Sequence, residues 1–520
     1  MLEKQISEIV RSTHESITDK KLKTLILGTQ ATKFVFDCSV SIWNDTLAIE
    51  AFMDDRVNFM IGEPTQKNSE LLNKMDAVLF DLLGDIVSKK ITHDNMKKVI
   101  LDFVNRVHIQ NPRTRIIYNS VRYASHVMNG EDESKKNIFD IIKPETRQFR
   151  NNLLNKIEKF IQLELPEVDL IKYHDITSAY EENVIKGYPD MYFNYDYWLD
   201  TLIQFQEYMG ISSYTRVLNL EDAVILAESA HPSAMLVKGD GLLPLWKIKD
   251  NDGLKKLMTR LLQLDYIIDG KADGWIRFIQ RTDFHRSNLI ESNGIYYSTQ
   301  KSRETSNGIQ NIVFYFQPMT LKGYFGTDAG LRFNPSRFQS LNRSLVKDTL
   351  LVRISDVNLM EGSYFVNTVN YQEYEKNMVA FIHHIMNKYD VKKENTVLYG
   401  FSRGGLGALW YGEVLDLPTV AVDPVIDSSY FNGHNGGAHY VSGLRKINLL
   451  PELNNMERTY DNKKYIITNQ YVKQERYQSI VQLKGRDIRI IDFNLPEMVE
   501  HGWVVHHIPE QLTLINSFLM

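Results

Sequence analysis

The sequence predicts an α/β protein that contains two regions of parallel sheet. Short apolar runs typical of buried strands alternate with amphipathic helical runs over residues 23–208, and the alternation returns after residue 311. In the second region, a strand-like run meets a glycine-rich turn and then a helix-forming run at residues 395–412. Strands that alternate with helices indicate a parallel sheet covered by helices on both faces.

Length and composition are those of a globular protein with more than one domain. The chain has 520 residues, of which 43% are hydrophobic and 24% charged, and its formal net charge is −5. A single hydrophobic core stops growing at about 250–300 residues, so we expect two or three domains. Acidic and basic residues are interspersed without a Lys/Arg stripe, which argues against a nucleic-acid partner.

The sequence carries no signal for a membrane or an oxidising compartment. Its first residues form a charged amphipathic pattern without the apolar core of a signal peptide. No apolar stretch reaches the roughly 20 residues of a transmembrane segment. Cys38 is the only cysteine, so no disulfide can form within the chain. We therefore expect a cytoplasmic protein, at most peripheral to a membrane.

Residues 1–210 are predicted to form a flavodoxin-like α/β domain. Strands are expected at residues 23–29, 76–81 and 115–119, and helices at residues 94–107 and 143–163. The second helix is apolar at helical spacing, at Phe149, Leu153, Ile157 and Ile161. This spacing predicts one buried face.

Three stretches of this region resemble a divergent SGNH-hydrolase-like domain of bacterial surface-polysaccharide loci: Ile26–Phe34, Asp76–Asp85 and Tyr188–Trp198. The resemblance implies a serine after the first strand and a histidine in the closing stretch. This chain has Thr29 at the first place, and the closing stretch offers only Asp190, Asn194 and Asp196. Without an imidazole there is no general base for Thr29, so we expect a non-catalytic domain that binds glycan or protein.

Residues 211–310 are predicted to be a small β-rich insert. Short runs bounded by Gly, Asp or Asn have strand character at residues 223–226, 234–237, 245–248, 274–279 and 294–298. One helix, at residues 252–264, interrupts them. We expect a carbohydrate-binding sandwich, in which Trp246 and Trp275 are either sugar platforms or, as we favour, core residues.

Residues 311–520 contain the motif that carries chemistry. Gly400-Phe-Ser402-Arg-Gly404 matches the nucleophile elbow, a tight strand-to-helix turn that exposes a serine beside free backbone N–H groups. Gly400 and Gly404 are expected where the two backbones approach too closely for side chains, and Gly405 and Gly407 where the helix meets the sheet. An ordinary glycine-rich turn is the alternative. The strand-like and helical flanks favour Ser402 as the nucleophile of an α/β-hydrolase fold.

An oxyanion hole needs two backbone donors. The first is expected to be the N–H of Arg403, the residue after the serine. The second is expected in the turn after the strand at residues 311–316. Pro318 has no N–H, so Gln317 or Met319 is left, and we take Gln317 first.

The remaining triad members are expected in the order acid, then histidine. Glu475 is the first carboxylate after the strand at residues 464–469 and is the favoured acid, while Asp423 and Asp427 follow an earlier strand and compete with it. Three histidines follow the last predicted strand: His501, His506 and His507. We favour His501, because it is nearest to the strand end and precedes a glycine, and keep His507 as the alternative.

Residues 312–520 resemble the hydrolase half of the accessory Sec-system Asp family. The matching stretches are Phe314–Pro318, Ile354–Asn367 and the elbow, and the loop at Glu361, Gly362 and Tyr364 is the most specific. The resemblance implies a Ser–acid–His site and O-acetylation of glycans on exported serine-rich proteins.

Together, these patterns predict serine-dependent acyl transfer to a bacterial surface glycan or glycoprotein. A carbohydrate O-acetyltransferase is favoured over two alternatives, a carbohydrate esterase or deacetylase and a non-enzymatic accessory component. We expect no metal and no bound cofactor, an acetyl donor such as acetyl-CoA, and export or glycan-assembly proteins as partners.

Overall fold

The computed structural model describes residues 22–27, 49–53, 72–82, 85–86, 89–120, 144–172, 195–209, 215–239, 251–272, 274–286, 288–306, 308–319, 328–335, 338–429, 443–456, 462–485 and 487–520. The chain divides into two compact units. One contains residues 1–215 and 270–275, and the other contains residues 216–269 and 276–520.

A five-stranded parallel sheet forms the centre of the first unit. Its strands are β1 (Leu22–Leu27), β2 (Ile49–Met53), β3 (Ala77–Phe80), β4 (Arg115–Asn119) and β5 (Val168–Ile171), in the order β2-β1-β3-β4-β5. The helices among the described residues of this unit are α1 (Met96–Gln110), α2 (Pro144–Glu164) and α3 (Tyr195–Tyr208). This is the flavodoxin-like strand order, which confirms the predicted fold class.

The predicted face of α2 is largely correct. Leu153, Ile157 and Ile161 are buried, whereas Phe149 is 65% exposed. The structure does not test the residues on which the SGNH-like prediction depends. Thr29, Asp190 and Asn194 lie outside the described residues, and so does the side chain of Asp196.

The middle of the chain forms one sheet with helices. The sheet has the strand order β6-β7-β9-β8, with β6 (Thr215–Val217), β7 (Ala234–Lys238), β8 (Tyr266–Ala272) and β9 (Trp275–Gln280). The described helices between these strands in sequence are α4 (Leu220–Ala230) and α5 (Asp252–Gln263). The described residues therefore do not form the predicted sandwich of two sheets. Trp275 is half-buried, and Trp246 lies outside the described residues.

Residues 223–226, predicted as a strand, are helical. The Asn219 side chain accepts a hydrogen bond from the Asp222 N–H at the start of α4, and the buried positions Leu220, Ala223, Val224 and Ala227 follow helical spacing. A run of four apolar residues does not distinguish a strand from a buried helix face. The helix predicted at residues 252–264 is confirmed.

The second unit contains an eight-stranded sheet. Its strands are β10 (Ile290–Ser292), β11 (Ile295–Lys301), β12 (Asn311–Phe316), β13 (Thr349–Ser355), β14 (Thr396–Phe401), β15 (Thr419–Val422), β16 (Lys464–Thr468) and β17 (Ile488–Asp492). The order is β10-β11-β13-β12-β14-β15-β16-β17, antiparallel at β10-β11-β13 and parallel elsewhere. Because β10 and β11 belong to this sheet, it begins before residue 311, the predicted domain boundary.

Helices cover this sheet. Those in the described part of the unit are α6 (Ala329–Phe333), α7 (Leu341–Ser344), α8 (Tyr374–Tyr389), α9 (Arg403–Leu415), α10 (Leu450–Asn455), α11 (Gln474–Val481), α12 (His501–Val504) and α13 (Ile508–Leu519). Along β12, Phe314 and Phe316 join a core with α8 and α9, while Val313 and Tyr315 join a second core with α13. Both faces of the strand are therefore buried, as in an α/β-hydrolase fold, the predicted class.

The helices of the described ranges include none whose length and apolar character would let it span a bilayer.

Candidate active site

Ser402 lies in a strained turn between β14 and α9. Its backbone has φ 60° and ψ −121°, a conformation that costs a non-glycine residue of order 1–3 kcal/mol. The Ser402 N–H donates to the Val422 carbonyl at 3.0 Å, and its carbonyl accepts from the N–H groups of Leu406 at 3.1 Å and Val425 at 3.2 Å. These hydrogen bonds hold the strained backbone in place.

The glycines around the serine are required by sterics. A Cβ atom on Gly400 would lie 2.0 Å from the Gly404 carbonyl oxygen, and one on Gly404 would lie 2.0 Å from the Phe316 carbonyl oxygen. At Gly405 the same atom would lie 2.9 Å from the Val422 oxygen. The strand and helix backbones therefore approach too closely for side chains, as the motif predicted.

Three side chains meet at the carboxyl edge of the sheet. Ser402 Oγ lies 2.8 Å from His501 Nε2, and His501 Nδ1 is hydrogen-bonded to Asp423 Oδ2. Ser402 follows β14, Asp423 follows β15, and His501 begins α12, after β17. Parallel strands end at the same edge, so residues far apart in sequence become neighbours there.

Asp423 is fully buried and multiply bonded. Its Oδ1 accepts from Thr468 Oγ1 at 2.8 Å, and Arg476 Nη1 lies 3.2 Å from its Oδ2. Burial by itself raises the pKa of this carboxyl, but His501, Arg476 and the Thr468 hydroxyl outweigh it, and the pKa is lowered. An ionised carboxylate at Nδ1 keeps the ring proton on that nitrogen and leaves Nε2 free to accept one.

The His501 imidazole is half-buried and stacks on Phe401, with ring centroids 4.7 Å apart. Its pKa is lowered, first by burial and then by the positive charge of Arg476, while Asp423 acts in the opposite direction. The ring is therefore neutral at pH 7, the state in which it can take a proton from a serine hydroxyl.

The structure contradicts Glu475 as the partner of His501. Glu475 is exposed in the first turn of α11 and makes no described contact with the imidazole. The next residue, Arg476, points inward instead, because successive helical side chains are about 100° apart. Asp427, the other competitor, accepts a hydrogen bond from the Ser429 N–H.

Of the three candidate histidines, only His501 contacts Ser402 in the described structure. His506 is exposed. His507 lies against the Phe493 ring, with centroids 4.3 Å apart, and 3.7 Å from Glu510. The geometry therefore agrees with the choice of His501 over His507.

The backbone of Gln317 is not free to act as an oxyanion donor. Its N–H donates to the Ile354 carbonyl at 3.2 Å, and its buried side chain donates to Asn334 Oδ1 and Ser355 Oγ. The first choice for the second donor is therefore wrong. Met319, the alternative, is half-buried, and its N–H has no acceptor among the described residues. The N–H of Arg403 is at the start of α9, where helix donors lack intrahelical acceptors.

The side chain of Arg403 is a structural feature that the sequence did not reveal. Its buried guanidinium donates to the carbonyls of Gln317 at 3.4 Å, Arg332 at 3.2 Å and Glu361. Nothing in the motif distinguishes this arginine from an exposed one. It ties the elbow to the turn that carries Met319 and to the loop around Glu361.

Glu361 lies beside this guanidinium in the loop that follows β13. Its carboxyl is buried, and burial raises its pKa to about 7 against the opposing charges of Arg332 and Arg403. Asp356 orders the same loop, because its carboxylate accepts from the N–H groups of Ser363 at 2.9 Å and Tyr364 at 2.7 Å.

Comparison with known proteins gives only distant structural similarity. No protein-family model matches the chain, and no curated protein sequence matches it. Among solved structures, a ferulic acid esterase is similar with a TM-score of 0.31 and 13% identity, over 44% of this chain and 96% of that chain. A capsule O-acetyltransferase of Neisseria meningitidis serogroup A is similar with a TM-score of 0.31 and 16% identity, over 44% of this chain and 94% of that chain.

A third similar structure is the Glycosylation Associate Protein (Gap123) complex from Streptococcus agalactiae, with a TM-score of 0.32 and 11% identity, over 47% of this chain and 50% of that chain. The similarity thus extends over half the length of the compared chain. TM-scores and identities this low do not indicate the reaction of the present chain. The chain is thus similar to esterases, an O-acetyltransferase and a glycosylation-associated complex, at a level that identifies no family.

Proposed function

We propose that this protein is a serine acyl-transfer enzyme. The observation that carries the proposal is the continuous hydrogen-bond chain from Ser402 through His501 to Asp423. A serine on a strained elbow, a neutral imidazole at 2.8 Å and a buried carboxylate on its other nitrogen are the parts that an activated nucleophile requires.

In the first step, Ser402 Oγ attacks the carbonyl carbon of an acyl donor while His501 Nε2 takes the hydroxyl proton. The negative charge moves to the carbonyl oxygen, where the N–H groups of Arg403 and Met319 are the proposed donors. The tetrahedral intermediate collapses, His501 returns the proton to the leaving group, and an acyl-serine remains. An acceptor hydroxyl then gives its proton to His501 Nε2 and attacks the acyl-serine. As this second tetrahedral intermediate collapses, His501 returns the proton to Ser402 Oγ, which releases the product and restores the serine hydroxyl.

We further propose that the acceptor is a sugar hydroxyl of a surface glycan or glycoprotein and that the donor is an acetyl thioester such as acetyl-CoA. The resemblance of residues 312–520 to the accessory Sec-system Asp family supports this choice. A role for the first domain in binding glycan, or in docking to export or glycan-assembly proteins, is proposed on the same kind of resemblance. A cytoplasmic location remains part of the proposal.

A carbohydrate esterase is the second candidate. The His501 side chain is 25% exposed, so water has access to the base that would activate the second acceptor. Transfer and hydrolysis share every step up to the acyl-serine and differ only in whether a sugar or water attacks it.

Labelling with a fluorophosphonate tests the nucleophile. The wild-type protein should be modified on Ser402, and Ser402→Ala should not be modified. His501→Ala should also lose labelling, whereas His507→Ala should keep most of it. A wild-type protein that resists labelling would instead support a non-enzymatic accessory component. Supplying acetyl-CoA with and without an oligosaccharide acceptor, and measuring acetylated sugar against free acetate, then separates transferase from esterase.

A further inference from the structure

The segment that carries His501 has little regular structure of its own. Between the end of β17 and the start of α13 it contains only the four residues of α12. The backbone of residues 495–507, called here the His501 segment, makes short-range hydrogen bonds such as Trp503 N–H to the Glu500 carbonyl. Segments of this kind are usually mobile, yet a catalytic base must be held to within about 0.5 Å.

Two buried carboxamides connect this backbone to the rest of the chain. Asn469, directly after β16, accepts from the Leu495 N–H at 2.8 Å and donates to the carbonyls of Leu495 at 2.9 Å and Met498 at 2.6 Å. Gln511, in α13, donates to the carbonyls of Val505 at 2.9 Å and His507 at 3.0 Å. Asn469 therefore binds the backbone before His501, and Gln511 binds the backbone after it.

Apart from the turn into α13, these are the only hydrogen bonds in the described structure that join the backbone of the His501 segment to other parts of the chain. Two buried apolar side chains, Met498 and Val504, lie three residues before and after His501. Apolar contacts are non-directional, so they keep this segment packed against the core but do not set the orientation of its backbone. Directional hydrogen bonds to carbonyl groups supply that orientation.

Gln511 also reaches the strand of the nucleophile. Its Oε1 accepts from the Tyr399 hydroxyl at 2.6 Å, and both side chains are buried. Burial raises the pKa of Tyr399 well above its usual value, so the hydroxyl keeps its proton and donates. Tyr399 is in β14, three residues before Ser402. One side chain therefore links the strand that leads to Ser402 with the backbone that follows His501.

We propose that Asn469 and Gln511 form a carboxamide clamp that holds the His501 imidazole in register with Ser402. Both are positioning residues, which act through His501 and do not touch the reacting atoms. This inference rests on the proposed acyl-transfer function. It predicts that a weakened clamp slows the step in which His501 acts while substrate binding changes little.

The test compares Gln511→Met with Asn516→Leu. Methionine keeps the length of glutamine but removes its hydrogen bonds. Asn516 is a matched control, because it lies in the same helix and also joins two backbone groups, the Val346 N–H at 3.1 Å and the Ser344 carbonyl at 3.0 Å, away from His501. Turnover of 4-nitrophenyl acetate, fluorophosphonate labelling rate and hydrogen exchange of residues 495–507 are measured on the full chain.

Gln511→Met should lower kcat and the labelling rate by up to about 10²-fold, the usual cost of misplacing a catalytic group by about 1 Å, with KM little changed. Its amides at residues 495–507 should exchange faster than those of the wild type. Asn516→Leu should match the wild type in all three measurements. Wild-type exchange and labelling in Gln511→Met, or equal losses in both variants, would overturn the clamp.

Tyr399→Phe is the second test variant, to be used if Gln511→Met does not fold. It removes only the hydroxyl that orients the carboxamide, and should give a smaller loss in the same direction, with faster exchange in the His501 segment. Wild-type values in both measurements would overturn the proposal. If the wild-type protein is not labelled at all, the acyl-transfer function fails, and hydrogen exchange in these variants still decides whether the clamp holds the segment.

Discussion

The parallel strands of the five-stranded and the eight-stranded sheets end in very different sets of side chains. At the carboxyl edge of the first sheet, Asp81 follows β3, and Ser120 follows β4 and donates to Glu158 at 2.8 Å. In the described part of that unit, the only hydrogen bond of a histidine joins His93 to Lys156, at an exposed site. At the edge of the second sheet, a serine, an imidazole and a carboxylate are joined in one chain.

The difference shows that the carboxyl edge of parallel strands does not by itself make a catalytic site. Chemistry depends on which loops bring a nucleophile and a base into contact. In the second sheet, even the supporting residues come from neighbouring strand ends: Thr468 bonds to Asp423, and the adjacent Asn469 bonds to the backbone near His501. The comparison therefore predicts that substitutions with large effects on turnover are confined to the second edge.

Ser402→Ala should have the largest effect. Removal of the nucleophile of an activated triad costs as much as about 10⁶-fold in kcat in a well-studied serine protease. We expect turnover of an activated acetyl ester to fall to the uncatalysed rate while circular dichroism and thermal unfolding stay near those of the wild type. A variant with wild-type turnover would make the elbow a purely structural turn.

Asp423→Asn should follow, with a loss of kcat of about 10⁴-fold, because an amide at this place permits the wrong imidazole tautomer. Glu475→Gln is the matched control, since Glu475 is exposed and should not change kcat. Steady-state kinetics of the two variants decide between the carboxylate seen at His501 and the one expected from sequence. The opposite ranking would mean that the loops rearrange when substrate binds.

Arg476→Met should have a smaller effect that depends on pH. The charge of Arg476 lowers the pKa of His501, so its removal raises that pKa. Only the neutral imidazole accepts a proton, and the rising limb of kcat/KM against pH should therefore move to higher pH. Lys473→Met should move it less, because the charge of Lys473 lowers the pKa of His501 less than that of Arg476 does. Profiles that coincide with that of the wild type would exclude this role for Arg476.

Thr29→Ala should have no effect on turnover. Thr29 takes the place of the expected serine in the first domain, and no histidine is present in the stretch where a base is expected. The measurement is the same ester assay in the full chain. A loss comparable to that of Ser402→Ala would remove the contrast between the two sheets and make the protein a two-site enzyme.

Features that depend on local sterics and periodicity can be predicted from the sequence alone. The elbow is predictable because its glycines follow a fixed local spacing around Ser402. The structure gives the steric reason: a Cβ atom at Gly400, Gly404 or Gly405 would collide with a carbonyl oxygen. The strands at Asn311–Phe316 and Thr396–Phe401 were readable because they are apolar on both faces. Residues 223–226 were misread because four apolar residues fit a strand and a buried helix face equally well.

The partners that complete the site depend on contacts between residues far apart in sequence. Whether Asp423 or Glu475 reaches His501 depends on the rotation of α11, which turns Arg476 inward and leaves Glu475 exposed. The N–H of Gln317 is occupied by the carbonyl of Ile354, 37 residues away in sequence. The three bonds of Arg403 likewise reach residues 42–86 positions away. Such contacts follow from the relative placement of strands and helices, which no local sequence pattern specifies.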